Sequence, residues 1–189
     1  IYNGADDNAS GTSALLAVAR ELAARPPLHD VILVAFDGEE SGLLGARAFV
    51  AAPPVPRASI AANVNFDMLS RDTRGELWVA GPGRYAALRP VMERLAADAP
   101  VTLRIGHDTG GGREDWTGQS DQGAFHAVGI PFLYFGVEDH PDYHRPSDEA
   151  SRVSRGFYVR AARTVVEAVR RVDRCLGTQA TGGAVAGCS

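Results

Sequence analysis

Of the carboxylates and imidazoles in this 189-residue chain, those whose spacing could do chemistry fall in four separated stretches: Asp6 and Asp7; Asp37, Glu39 and Glu40; Asp67; and His140, Asp142 and His144. A mixed carboxylate and imidazole set without thiolates suits a hydrolytic zinc site, and one bridging carboxylate would let two ions sit about 3.5–4 Å apart. Each residue also has a plainer use. Asp6 and Asp7 are of the type that caps a helix, Glu39 and Glu40 suit a helix first turn, Asp67 suits a turn, and His144 suits a packed or surface position. Residue type alone leaves both readings open.

The elements that must position these groups follow from hydrophobic spacing. Residues 10–25 place Leu15, Leu16, Ala19, Leu22 and Ala23 on one helical face before Pro26-Pro27, with Ser10 or Thr12 as a cap. Residues 30–36 form a nearly continuous apolar run, Val31 to Phe36, as expected of a strand buried on both faces, and residues 40–52 read as a helix broken by Pro53. Strands are predicted at 60–66, 76–80 and 130–135, with an edge or outer strand at 101–105. Helices are predicted at 85–97, from a Ser120 cap to Ala127, and at 154–176, the last with Val159, Ala162, Val165, Val166, Val169 and Val172 inward. The Gly-rich stretch 107–119 reads as a surface loop bordering a site.

Alternating strands and helices predict an α/β three-layer sandwich with a mostly parallel mixed sheet flanked by helices. Open sheets of this kind bind ligands beyond the carboxyl ends of their strands. Asp37, Glu39 and Glu40 follow one predicted strand, Asp67 ends another, and His140 to His144 follow a third, so the acids and imidazoles gather on one rim.

Composition narrows the classes. The chain is 45% hydrophobic and 22% charged with net charge −4, and no apolar run reaches the roughly 18–20 residues of a membrane span. All 19 basic side chains are Arg and they are scattered, so no basic stripe for nucleic acid is present. Cys175 and Cys188 read as two free thiols, or as a disulfide that would suggest an oxidising compartment. Residues 1–176 form one domain, and the Gly- and Ala-rich residues 177–189 read as a flexible tail.

Five motifs occur in order: Asn3-Gly4-Ala5-Asp6-Asp7-Asn8-Ala9-Ser10-Gly11, Phe36-Asp37-Gly38-Glu39-Glu40-Ser41-Gly42-Leu43-Leu44-Gly45, Asn65-Phe66-Asp67-Met68, Ser120-Asp121 with Gly129-Ile130-Pro131, and His140-Pro141-Asp142-Tyr143-His144-Arg145-Pro146-Ser147-Asp148. Together they resemble the M28 family of zinc peptidases, chiefly aminopeptidases, over most of residues 3–150. The resemblance implies a zinc-exopeptidase-like fold and cleavage of the N-terminal peptide bond of peptide substrates. It implies that Asp7 bridges two zinc ions, that Glu40 and His144 complete one ion's protein ligands, and that Asp67 binds the other. It further implies that Glu39 is the general base and that Tyr143 helps hold the tetrahedral intermediate. His140 matches no family ligand. An extracytoplasmic location, periplasmic or secreted, is also implied.

The chain departs from the family in two places. The family's His-x-Asp motif stands upstream of the Asp-Asp turn, and only Ile1, Tyr2 and Asn3 precede that turn's Gly4 here. The expectation is therefore a partial catalytic domain whose N-terminal strands are missing, holding up to two zinc ions when intact and one or none as it stands. The His that often follows Ser-Asp is Gln122. For substrate contact the candidates are Asp121, Phe125 and Tyr134, with Trp116 and Phe135 near the same rim and Arg113 or Arg145 for a carboxylate. Two other readings share the fold: a single-zinc aminoacyltransferase resembling glutaminyl cyclases, and a non-catalytic binding domain.

Overall fold

The computed structural model describes residues 1–110 and 114–176. Four strands, β1 (Asn63–Phe66), β2 (Glu76–Ala80), β3 (Thr102–Ile105) and β4 (Phe132–Gly136), form one sheet in the order β1-β4-β2-β3. β1 runs parallel to β4 and β3 parallel to β2, while β2 and β4 are antiparallel, so the sheet is mixed. β3 occupies the predicted edge. The helices are α1 (Gly11–Ala24), α2 (Leu44–Ala51), α3 (Arg89–Asp98), α4 (Gln122–Ala127) and α5 (Arg155–Leu176).

Period-two alternation along β4 divides its side chains between two cores. Leu133 and Phe135 join Ala14 and Val18 of α1, Leu95 of α3 and Val165 of α5. Phe132 and Tyr134 point to the other face, beside Trp116. On that side α2 and α4 pack through Ala46, Val50, Ala124 and Phe125. Helices on both faces make the predicted three layers.

Several local expectations are corrected. Residues 30–36 join no ladder, and Val31, Ile32 and Leu33 are 38, 46 and 40% exposed rather than buried. An apolar run becomes a buried strand only where a neighbouring strand takes up its backbone groups, and none does so among the described residues. α2 starts at Leu44, not at residue 40, because Gly42 and Leu43 both have positive φ and turn the chain first. Ser120 does not cap α4; its hydroxyl donates to Asp67 instead. Val159 faces outward at 49% exposure, whereas Val165 and Val172 of the same helix are buried as expected.

Cys175 is disulfide-bonded, which corrects the free-thiol reading. Cys188, the 177–189 tail and Arg113 lie outside the described residues.

Candidate metal centre

β1 and β4 leave the sheet side by side. The Asp67 amide donates to the Phe135 carbonyl at 3.0 Å and the Val137 amide to the Met68 carbonyl at 3.0 Å, so parallel pairing continues past both strand ends. That places Asp67 next to the segment leading to His144. The α1 N-terminus closes onto the same rim at Gly11, where a Cβ would stand 2.2 Å from the Phe66 carbonyl oxygen. Only glycine fits there.

The turn before α1 is pinned by side chains on three sides. Asp6 is wholly buried; its Oδ1 accepts from the Ser70 amide at 2.7 Å and from Ser10 Oγ at 3.1 Å, and its Oδ2 lies 2.9 Å from His140 Nε2. The Asp148 carboxylate accepts the amides of Asp6 and Asp7 at 3.0 Å. Asn8 Nδ2 donates to the Phe66 carbonyl at 2.9 Å, and Asn8 Oδ1 accepts the Gly11 amide at 2.9 Å. The Asp7–Asn8 peptide is cis. Asp6 is thus consumed in holding the turn, and the Asp7 carboxylate is left to face the rim.

There it meets residues from two distant stretches. His144 Nε2 lies 3.2 Å from Asp7 Oδ2 and 2.8 Å from Glu40 Oε1, and one donor atom from each of the three residues falls within 4.8 Å of the others. Glu40 is delivered by the turn ahead of α2, where Gly45 passes so close to Asp37 that a Cβ would stand 2.7 Å from its carbonyl oxygen. The Tyr143 ring stacks on the His144 imidazole, with centroids 3.8 Å apart and planes at 24°.

A cavity of about 360 Å³ opens over this cluster and is lined also by Glu39, Asp67, Trp116, Tyr134 and Arg47. Three of its acids, Asp7, Glu39 and Asp67, and Asp121 nearby resist ionisation. Burial, then the charges of Glu40, Asp121 and Asp7, raise Glu39 to about 7. Asp7 is raised to about 6 by burial and the Glu40 charge, against an opposing effect of His144. Burial lifts Asp67 well above the carboxylate range, opposed by the Ser120 hydrogen bond, and lifts Asp121 to about 6. Tyr143 and Tyr134 are raised by burial first, so both phenols remain hydrogen-bond donors at neutral pH.

The residues present fit a divalent cation. Asp67 is 8% exposed, and while its Oδ2 accepts from Ser120 Oγ at 2.7 Å, its Oδ1 is buried without a hydrogen-bond partner among the described residues. A buried carboxylate oxygen left unpaired beside other raised acids is stabilised by a positive charge, which no nearby Arg guanidinium supplies to it. Carboxylate and imidazole donors without thiolate match zinc.

A sequence comparison bears directly on this arrangement: the family model described as Peptidase family M28 matches residues 1–169. The chain belongs to peptidase family M28. Among M28 relatives, the chain is 31% identical over 182 residues to Aminopeptidase YwaD of Bacillus subtilis, covering 88% of this chain and 37% of that protein. The structure of BSAP, a zinc aminopeptidase from Bacillus subtilis, superposes with a TM-score of 0.75 at 29% identity, covering 90% of this chain and 43% of the other. An aminopeptidase from Aneurinibacillus sp. strain AM-1 gives 0.74 at 25% identity, with 89% and 39% covered. The chain therefore spans less than half the length of these relatives.

Of the residues singled out from sequence, Asp7, Glu39, Glu40, Asp67, Tyr143, His144 and Tyr134 all line the cavity. Phe125 does not. It is 4% exposed and packs with Phe36 and Phe49 under α2, because its place on the short α4 turns it toward that helix. Phe135 is likewise fully buried, in the opposite core. Asp121 sits behind the wall, with Oδ1 buried and unpartnered, and is not itself a lining residue. Arg145 is exposed and lies off the cavity.

Sequence reasoning missed the supporting residues. His140 and Asp148 hold the Asp6-Asp7 turn, and Gln122, fully buried, accepts from Asn65 Nδ2 at 2.9 Å while donating to the Trp116 carbonyl at 2.6 Å. His107 stacks flat on Trp116, centroids 3.8 Å apart, with Nε2 3.0 Å from Glu138 Oε1. The signal for His140 and Asp148 was their place in the motif around His144. His107 and Arg47 carried none.

Proposed function

We propose that the chain is the catalytic part of a zinc-dependent aminopeptidase that removes residues from the N-terminus of peptides. The observation that carries this reading is the convergence of Asp7, Glu40 and His144 donor atoms within 4.8 Å, beside Glu39 and the unpartnered Asp67 Oδ1, in a chain of the M28 family. The names of its aminopeptidase relatives support the same activity.

Asp7, Glu40 and His144 would hold one zinc ion, and Asp67 with Asp7 a second. Bound zinc supplies Lewis-acid polarisation of the scissile carbonyl and lowers the pKa of water to about 7. Glu39, raised to about 7, takes the proton from the attacking water and passes it to the nitrogen of the leaving amine as the C–N bond breaks. The Tyr143 hydroxyl, kept protonated by burial, donates to the oxygen that gains charge. The surplus of carboxylates attracts the substrate's ammonium terminus. Trp116 and Tyr134, edge to face at 5.7 Å, offer an apolar wall for the first side chain.

An extracytoplasmic place of action belongs to the same proposal, supported by the disulfide at Cys175, since such bonds persist in oxidising compartments.

The test is a mass-spectrometric time course on one peptide with a free N-terminus and on its N-acetylated twin, using the intact zinc-loaded protein. Stepwise loss of single residues from the free peptide, with the acetylated one untouched, is expected. Internal cleavage, or equal attack on both, would overturn the aminopeptidase reading.

A further inference from the structure

Arg47 is out of keeping with the cavity it lines. The lining acids are Asp7, Glu39, Glu40, Asp67 and Asp139, against two basic side chains, Arg47 and His144. His144 is engaged with Asp7 and Glu40. The Arg47 guanidinium is exposed and forms no hydrogen bond or ion pair among the described residues, although five carboxylates share the cavity with it. Its backbone is fixed: the Arg47 amide, in the first turn of α2, donates at 2.9 Å to the carbonyl of Leu43 just ahead of the helix, and Leu43 lines the cavity too. The side chain is therefore anchored at the rim with its charged end unspent.

An anionic group entering this cavity is repelled by the acids unless it finds a cation. A guanidinium meets a carboxylate through two parallel hydrogen bonds, and an unpaired one keeps all its donors for that purpose. We propose that Arg47 is a specificity-determining residue that binds a carboxylate of the substrate, favouring peptides that present one beyond the bond to be cut. The inference rests on the aminopeptidase reading above. Two sources share the chemistry: the C-terminal carboxylate of a short peptide, and an acidic side chain.

The experiment separates both the sources and the two proposals. With the intact zinc-loaded protein, kcat/KM is measured for Leu-Gly against Leu-Gly-amide, and for Leu-Asp-amide against Leu-Asn-amide, in the wild type and in Arg47→Gln and Arg47→Lys. The same four peptides are titrated calorimetrically into zinc-loaded Glu39→Gln, with and without Arg47→Gln. Charge-assisted bidentate bonds predict that the carboxylate-over-neutral ratio in one pair falls about 10- to 100-fold in Arg47→Gln, largely through KM, with partial recovery in Arg47→Lys. A fall in the first pair identifies the C-terminal carboxylate, and a fall in the second the side chain. Ratios unchanged by Arg47→Gln in both pairs, in hydrolysis and in binding, overturn the proposal. Failure to hydrolyse any of the peptides would count against the aminopeptidase reading, while the titrations would still decide Arg47.

Discussion

Ser120 Oγ donates to Asp67 Oδ2 at 2.7 Å, tying the turn two residues ahead of α4 to the residue that follows β1, while the second Asp67 oxygen is buried with no hydrogen-bond partner among the described residues. The hydroxyl fixes the carboxylate's rotation and so decides which oxygen a cation meets. Ser120→Ala removes that donor from a buried acceptor, at a cost of about 1–3 kcal/mol. The expected result is a lower denaturation midpoint together with a weaker second zinc equivalent in a competition titration. Unchanged zinc affinity would show that Ser120 does not orient Asp67.

Glu39→Gln keeps the shape and the neighbouring Glu40 but cannot accept a proton. Loss of a positioned general base lowers kcat by about 10²–10⁴-fold. Zinc content, read by atomic emission, is expected to match the wild type. Near-normal turnover with zinc bound would remove Glu39 from its role.

Burial raises the Asp121 carboxyl from 3.8 to about 6. The folded protein thus holds this proton more tightly than the unfolded chain, so the contribution to stability is full below about pH 4 and is lost as pH rises through about 6. Asp121→Asn is expected to stabilise the metal-free protein at pH 7 by on the order of 1 kcal/mol and to leave it unchanged near pH 3.5. Urea denaturation at the two pH values checks this, and an equal effect at both would contradict it.

Zinc is expected to stabilise fold as well as chemistry, because Asp7, Glu40 and Asp67 line one cavity and the repulsion between Glu40 and Asp7 is relieved by a bound cation. A ligand at 100 times its Kd adds about 2.7 kcal/mol to the folded state. Thermal unfolding with and without zinc should show an upward shift in the wild type and a smaller one in His144→Ala. No shift in the wild type would argue against a zinc site.

Much of the rim was legible in the chain. Asp7, Glu40 and His144 lie far apart in sequence, yet Asp7 and Glu40 stand in the turns ahead of α1 and α2, and parallel pairing of β1 with β4 brings Asp67 and the segment leading to His144 to one side. What was illegible depends on partners distant in sequence. The run at 31–33 has the composition of a buried strand, but pairing decides burial, and here those residues are exposed. Ser120 has the type and position of a cap, but Asp67, 53 residues away, takes its hydroxyl. Phe125 reads as a substrate-contact candidate near the rim, and the side of α4 on which it stands sends it to Phe36 and Phe49 instead. Antiparallel pairing of β2 with β4 within a largely parallel pattern likewise has no local signature.

The most direct measurement is hydrolysis of a panel of aminoacyl chromogenic amides by the intact protein before chelation, after chelation and after zinc is restored. The account predicts activity that is lost on chelation and regained with zinc, with apolar first residues preferred because Trp116 and Tyr134 line the cavity. Activity that survives complete removal of metal, or none on any amide with zinc bound, would contradict it.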